Sequence, residues 1–324
     1  GLKGSGLEEN TIVVYLSDHG ANHLVRHKQM PTEGGLHVPF VLMGPEKWVP
    51  KQGARKDLVS TLDLTATTLS WAGIKLPEWY EGRNLFAKDF KPRQWVASAK
   101  DRLDHTIDRV RTIRTDKFRY TRNYKLDRIL LQPQYRDNKD YLKNLKQLYA
   151  AGKLSEDLKR IYFGERPKEE FYDISKDPAQ VNNLVGDPKF TKELNRHRKL
   201  LEAWLAKGDM GTDEESPNAL RHNGDTWQGG RGVNPEYEIN REDNDGDGLS
   251  DKWEKLNGRN PQDGRIAYEF DCGGWQTEGW KGRGIRDNIA GFQGFLQFSL
   301  PSKTSSLVRK GLKVKPHGSD QALL

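Results

Sequence analysis

The sequence is poor in cysteine. Cys272 is its one cysteine in 324 residues, so no intrachain disulfide can form and the redox compartment cannot be read from cysteine usage. No apolar run reaches the ~18 residues that a membrane-spanning helix needs. No signal peptide is visible, and that absence carries no information here. Apolar residues are also scarce: 34% are hydrophobic against 31% charged, and the mean hydropathy is −0.88. This predicts a modest core under long polar loops. Aromatic residues, at 10%, exclude wholesale disorder. No signature of a nucleic-acid-binding module is present. The net charge of +7 favours acidic partners such as sulfated glycans or nucleic acid, and it fits a merely soluble basic protein equally well.

Chemistry-bearing residues are concentrated near the start. Residues 11–17 are a β-rich apolar run, short enough to be a strand buried on both faces. The run ends in Asp18, His19 and Gly20. In open α/β sheets ligands sit beyond the carboxyl ends of parallel strands. A carboxylate beside an imidazole at such an end suits a divalent cation, and a capped loop with no metal is the plain alternative. Downstream come Arg26-His27-Lys28, then Thr32-Glu33-Gly34-Gly35, then a second apolar run, Val38 to Gly44.

This order of features resembles the sulfatases of the alkaline-phosphatase superfamily: a strand, Ser-Asp-Asn/His-Gly, a loop carrying a lysine, Glu-Gly-Gly, and a Val-Pro strand. The likeness continues through residues 57–85, with a helix over 57–73, anchored by Leu62, Ala66 and Leu69 and stopped by Gly73. It continues through a basic hairpin over 110–122 turning at Thr115-Asp116, and through Glu170-Phe171-Tyr172-Asp173 with Asp177-Pro178 and Asn183-Leu184. There Phe171 and Gln180 replace the family's usual Leu and Glu. Residues 101–108 read as a polar loop, 94–99 as a strand, and 137–152, 155–163 and 188–207 as helices, the last anchored by Leu194, Leu201 and Leu205. The later half looks closest to heparan N-sulfatase-like members.

The resemblance implies that Asp18 and His19 ligate Ca²⁺ beside two further carboxylates. Histidine is a softer ligand than the asparagine often found there. It implies that Lys28 contacts a sulfate oxygen as a catalytic residue, with His27 and His105 as substrate-binding candidates. Lys28 and His105 also admit the plain readings of a solvated loop lysine and a satisfied loop histidine. The outer face of the 117–122 strand, with Lys117, Arg119 and Thr121, is either a polyanion-binding surface or a solvated sheet face. The family's nucleophile, a formylglycine made from Cys/Ser-x-Pro-x-Arg, has no counterpart in this chain. Cys272 precedes Gly273-Gly274-Trp275 and does not fit it. The opening, residues 1–10, reads as a helix end in mid-domain. We expect the N-terminal half of the enzyme, with its formylglycine, to lie outside this chain.

Residues 211–242 read as a linker. Then Asp243, Asp245, Asp247, Gly248, Leu249, Asp251 and Glu254 fit the calcium-loop pattern D-x-D-x-D-G-x-x-D-x-x-E. In this reading the carboxylates and the Leu249 carbonyl ligate Ca²⁺, Gly248 makes the sharp turn, and Glu254 closes the site. Five acids so close together repel one another without a cation; a solvated acidic run is the alternative. Beyond Gly264, alternating apolar residues and frequent turns read as short antiparallel strands of a β-sandwich too short to be whole.

The expected fold is therefore α/β: an incomplete alkaline-phosphatase-like sandwich over 1–93 and a small antiparallel subdomain over 94–210. A linker with a calcium loop over 211–264 and a partial β-sandwich module over 265–324 follow. The expected function is sulfuric ester hydrolysis on sulfated carbohydrate, in the periplasm or outside the cell, with no nucleic-acid partner and no membrane span. The rivals are a phosphodiesterase or phosphonate hydrolase of the same superfamily, and a non-catalytic calcium-stabilised glycan-binding protein.

Overall fold

The computed structural model describes residues 1–50, 53–103, 106–209, 220, 234–246, 250–256, 258–262, 297–299, 307–309, 312–314 and 321–323. Contacts divide the chain into Gly1–Gly211 and Thr212–Leu324. The architecture is α/β with antiparallel sheets. Among the described residues no helix is long and apolar enough to cross a membrane.

The first unit opens with a short helix, α1 (Leu2–Ser5), and strand β1 (Val13–Leu16). β1 pairs antiparallel with β2 (Phe40–Met43), with Val13 opposite Met43 and Leu16 opposite Phe40. The expectation of a parallel strand buried on both faces is thus corrected. This sheet has two strands, and Val14, Tyr15 and Leu16 are exposed, Tyr15 to 65%, so neither face is covered. An apolar run records what can be buried, and not which layers are there to cover it. Between the strands lies one turn of helix, α2 (Glu33–Leu36), whose N-cap Thr32 accepts a hydrogen bond from the Gly35 amide.

Helix α3 (Thr61–Trp71) starts at Ser60 with a capping box completed by Asp63 and is followed by Gly73 at φ 73°. The predicted stripe is displaced by one residue at its start. Leu62 is exposed, whereas Asp63, Ala66 and Thr67 are buried. The reason is polar: Asp63 accepts from the Ser60 and Arg83 amides and binds Arg93, and Thr67 Oγ1 accepts from the Leu85 amide.

The larger sheet has the order β3 (Trp95–Leu103), β4 (Thr106–Thr115), β5 (Phe118–Asn123), β6 (Glu169–Asp173), all antiparallel. Residues 101–103 and 106–108 are strand rather than the expected polar loop. A register shift between Lys100 and Arg102 accommodates the bend. The polar residues are tolerated because they pair. Lys100 Nζ lies 2.6 Å from Asp108 Oδ2, and Arg166 grips the same carboxylate at 2.7 and 2.9 Å. All three side chains are buried. Burial alone would raise the Asp108 pKa; the charges of Lys100 and Arg166 outweigh that and hold it at about 2.

One face of this sheet forms the core. Ile113, Tyr120 and Phe171 pack with Leu194 and Leu201 of helix α6 (Thr191–Leu205), while Leu205 is partly buried against them. Phe118 and Phe171 stack with centroids 5.1 Å apart. His197 of α6 is buried in the same core. Its Nδ1 is 2.9 Å from the Glu193 carbonyl and its Nε2 3.0 Å from Thr115 Oγ1, and burial pushes its pKa down. Helices α4 (Asp140–Ala150) and α5 (Glu156–Phe163) lie between β5 and β6 in sequence.

In the second unit, helices α7 (Pro235–Ile239) and α8 (Asp251–Leu256) flank the acidic loop. Four three-residue strands follow: β7 (Gln297–Ser299), β8 (Leu307–Arg309), β9 (Leu312–Val314) and β10 (Gln321–Leu323). β8 pairs with β9 and β7 with β10, both antiparallel. These are two separate two-stranded sheets, and the remaining residues of the expected sandwich module lie outside the described residues.

Candidate metal centre and anion site

The tip of β1 is built by glycines. The Gly20 amide donates to the Gly35 carbonyl at 3.0 Å, and a Cβ on Gly20 would lie 1.7 Å from the Gly34 carbonyl oxygen. A side chain on Gly34 would strike the His27 ring, and one on Gly35 the Met30 carbonyl. Only glycine lets these backbones approach so closely. The tip carrying Asp18 and His19 is therefore seated against α2, with the imidazole of His27 lying on Gly34.

Asp18 and His19 come together. Asp18 Oδ2 is 3.3 Å from His19 Nε2, with the carboxylate 82% exposed. His19 Nδ1 lies 2.7 Å from the Gly20 carbonyl oxygen, and Ser17 Oγ donates to the His19 carbonyl at 2.6 Å. A ring nitrogen facing a carbonyl must carry its proton there. Nε2 then presents a lone pair towards the carboxylate unless a second proton binds. With a proton on Nε2 the two form an ion pair, and with Nε2 free they offer two donor atoms to a cation. The pair can hold a cation, and the Gly20 contact orients the imidazole as an outer-shell partner does. Two donors are few for Ca²⁺, which takes 6–8 oxygens. No group of three or more His, Cys, Asp or Glu side chains poised for a metal occurs among the described residues.

Lys28 sits on the loop between His27 and Gln29. Its ammonium lies over the Tyr135 ring, 5.4 Å from the centroid. Its carbonyl accepts from Arg136 Nη2 at 3.4 Å, and Arg136 also donates to the Asn22 carbonyl at 3.2 Å. Arg136 is fully buried. The structure pairs Asp18 with His19 and His27 with Gly34, and it gives Lys28 the Tyr135 ring as its cation–π partner. His105, between β3 and β4, lies outside the described residues.

The loop's supports are what the sequence did not show. Glu33 of the Glu-Gly-Gly element accepts from Arg119 at 2.5 and 3.1 Å and from Arg114 at 3.3 and 3.4 Å. Burial pushes the Glu33 carboxyl up, but these two guanidinium groups hold it below its ordinary value. Arg119, read as part of an outward basic face, is only 3% exposed, and Thr121 is buried too. The Gln180 side chain accepts from the Glu33 amide at 2.7 Å, while its carbonyl accepts from Arg26 at 2.8 Å. Gln29 and Gln180 both hold positive φ, at 65° and 56°. Such strain persists only where surrounding contacts over-determine it. The one signal available in sequence was Glu33 itself, an acid followed by two glycines, with arginines on the predicted hairpin.

In the second unit, Asp243 Oδ1 accepts from the Gly246 amide at 2.9 Å, with Gly246 at φ 73°. Asp251 Oδ1 accepts from the Asn244 amide at 2.9 Å, and Asp251 Oδ2 from the Asn244 side chain. Asp251 and Glu254 are buried, and Arg259 Nε stands 3.8 Å from Glu254 Oε1. Lys255 Nζ likewise stands 3.8 Å from Asp251 Oδ2, so each buried carboxylate has a cationic side chain nearby. Asp245 lies in the turn; Asp247, Gly248 and Leu249 lie outside the described residues.

The sulfatase family model matches residues 1–74. An ulvan-active sulfatase of Formosa agariphila is 32% identical over 220 residues, covering 67% of this chain and 36% of that protein. Residues 1–74 are a sulfatase-family segment. Human N-sulphoglucosamine sulphohydrolase is 26% identical over 222 residues, covering 63% of this chain and 43% of that protein. A solved 2-O GAG sulfatase is 26% identical with a TM-score of 0.45, covering 64% of this chain and 40% of that one. The chain thus spans less than half the length of these sulfatases. The relatives are named as sulfatases, which are hydrolases.

Proposed function

We propose that this chain supplies the C-terminal part of a sulfuric ester hydrolase acting on sulfated carbohydrate, in the periplasm or outside the cell. In this reading residues 1–93 belong to the α/β core and 94–210 to the antiparallel subdomain. Residues 211–264 form a linker bearing a calcium loop, and 265–324 a β module. The observation that carries it is the Asp18–His19 pair, two metal-capable donors 3.3 Å apart on a glycine-built tip within the family-matched segment.

Asp18 and His19 would hold Ca²⁺, which when bound stabilises negative charge on sulfate oxygens. Lys28 would meet a sulfate oxygen with its ammonium, a fixed positive charge that needs little reorganisation during reaction. Arg136 holds that lysine's backbone in place. His27 and His105 would contact the sugar. The nucleophile, a formylglycine by family resemblance, is not among this chain's residues. Asp243, Asp245, Asp247, the Leu249 carbonyl, Asp251 and Glu254 would hold a second, structural Ca²⁺.

Titrating the chain with a sulfated disaccharide and its desulfated counterpart, in Ca²⁺, tests the reading. Binding should require the sulfate and weaken about tenfold or more in Lys28→Ala. Equal binding of the desulfated sugar, unaffected by Lys28→Ala, would favour the non-catalytic glycan binder. Preference for a phosphodiester or phosphonate would favour the other superfamily chemistry.

A further inference from the structure

A cavity of about 340 Å³ lies in the first unit, on the side of loop 26–32 that carries Arg26, Met30 and Thr32. Asp18, His19, His27 and Lys28 are not among its lining residues. Its other walls come from the β4–β5 face and from α5 with the segment that follows it. The volume is at the lower end of the range for small-molecule sites.

Two of its lining side chains are left short of partners. Arg166 gives both terminal nitrogens to Asp108, yet its Nε is buried and accepted by nothing. Arg26 Nη1 donates to the Ala179 and Gln180 carbonyls at 2.9 and 2.8 Å, and its Nε is likewise buried without a partner. The Arg166 side chain is only 3% exposed. A buried donor left unmet costs about 1–3 kcal/mol, and more when charged, so two on one cavity call for an acceptor inside it.

Charge gives the sign of that acceptor. Arg26, Lys100, Arg160 and Arg166 line the space against Glu165 and Glu170. Asp108 offsets one cation more, and Glu170 is already engaged by Asn123 and Tyr172. Arg160 is itself paired with Asp157 at 2.8 Å, so over the whole lining the charges cancel; at the buried end, Lys100 and Arg166 share the single carboxylate of Asp108, and there the balance is positive. Met30, Val110, Leu130, Ile161 and Pro167 give it apolar walls as well. We propose that this cavity binds a compact organic oxyanion, a carboxylate or sulfate monoester of monosaccharide size, at a site separate from Asp18 and His19. Loop 26–32 also carries Lys28, so occupancy would brace the anion-binding loop from behind.

Calorimetric and thermal-shift titrations of the 324-residue chain at fixed ionic strength test this, using glucuronate, glucose 6-sulfate and neutral glucose. One or both anions should bind and glucose should not; the anion that binds identifies the source of the charge. Ile161→Trp, from a half-buried position on α5, should fill the space and weaken binding about tenfold or more. Asp18→Asn should leave it unchanged, which separates this site from the proposed metal centre. If Ile161→Trp fails to fold, Leu130→Trp fills the cavity from another wall. No binding by either anion, meaning a cavity holding only water, would overturn the proposal. So would binding that survives the filling variants, or that disappears in Asp18→Asn.

Discussion

Replacing Glu33 by glutamine should loosen the element that carries the candidate site. The Glu33 carboxylate is the partner of Arg119, which is 3% exposed, and of the half-buried Arg114. Removing one member of a buried ion pair typically destabilises by 3–5 kcal/mol, because the other charge stays in a poor solvent. Glutamine keeps one acceptor oxygen for Arg119, and Thr112 Oγ1 still accepts from that guanidinium at 2.9 Å. The expected loss is therefore at the lower end, about 3 kcal/mol, or roughly a hundredfold in the opening equilibrium. Hydrogen exchange read by mass spectrometry reports it locally. Peptides covering residues 20–36 and β5 should lose protection together, while the second unit keeps its own. The double variant Glu33→Gln/Arg119→Met removes both partners and should recover most of the loss. A change below about 0.5 kcal/mol in Glu33→Gln, within the range of ordinary surface substitutions, would refute the idea that this ion cluster holds the loop.

Acid should act through the buried cluster on the same sheet. Asp108 sits at about 2 in the folded protein against 3.8 as its ordinary value, so its stabilisation is present above pH ~4 and is lost as pH falls towards ~2. That loss is roughly 2 kcal/mol, and the lowered Glu33 pKa acts in the same direction. Melting temperatures measured from pH 5 to pH 2 should fall through this window, and Asp108→Asn should remove its own share of the fall. Gly20→Ala forces a Cβ to within 1.7 Å of the Gly34 carbonyl oxygen, which should cost about 1–3 kcal/mol and expose the Gly35 region to exchange. The 324-residue chain lacks Cys/Ser-x-Pro-x-Arg and should show no turnover of an aryl sulfate. Hydrolysis above the buffer rate would contradict the assignment of its residues to metal and sulfate binding alone.

What was legible in the sequence was local. The capping residue Ser60 had no reading of its own, but Gly73 as the stop of α3 follows from the preference of glycine for positive φ. The hairpin follows from turn chemistry, although it turns at Asp116-Lys117, one residue beyond the expected Thr115-Asp116, and the helical anchors Leu194 and Leu201 follow from period. The family itself was legible from Asp18-His19-Gly20, Glu33-Gly34-Gly35 and the Val-Pro strand in order. What was not legible depends on partners far away in sequence. Residues 101–108 look like a loop until Arg166 arrives to neutralise Asp108. Arg119 looks like an outward charge until Glu33 is placed against it. Arg136 carries no motif, yet it ties the Lys28 and Asn22 carbonyls from a fully buried position.

Calcium titration by calorimetry, in the Glu254→Gln background so that the second unit's loop is silent, tests the central claim most directly. Because this chain supplies two donors where the ion takes 6–8, the account predicts weak binding of one Ca²⁺ per chain, with the heat abolished by Asp18→Asn and reduced by His19→Ala. Calcium binding that persists unchanged in Asp18→Asn, or no binding at all by the background variant, would contradict it.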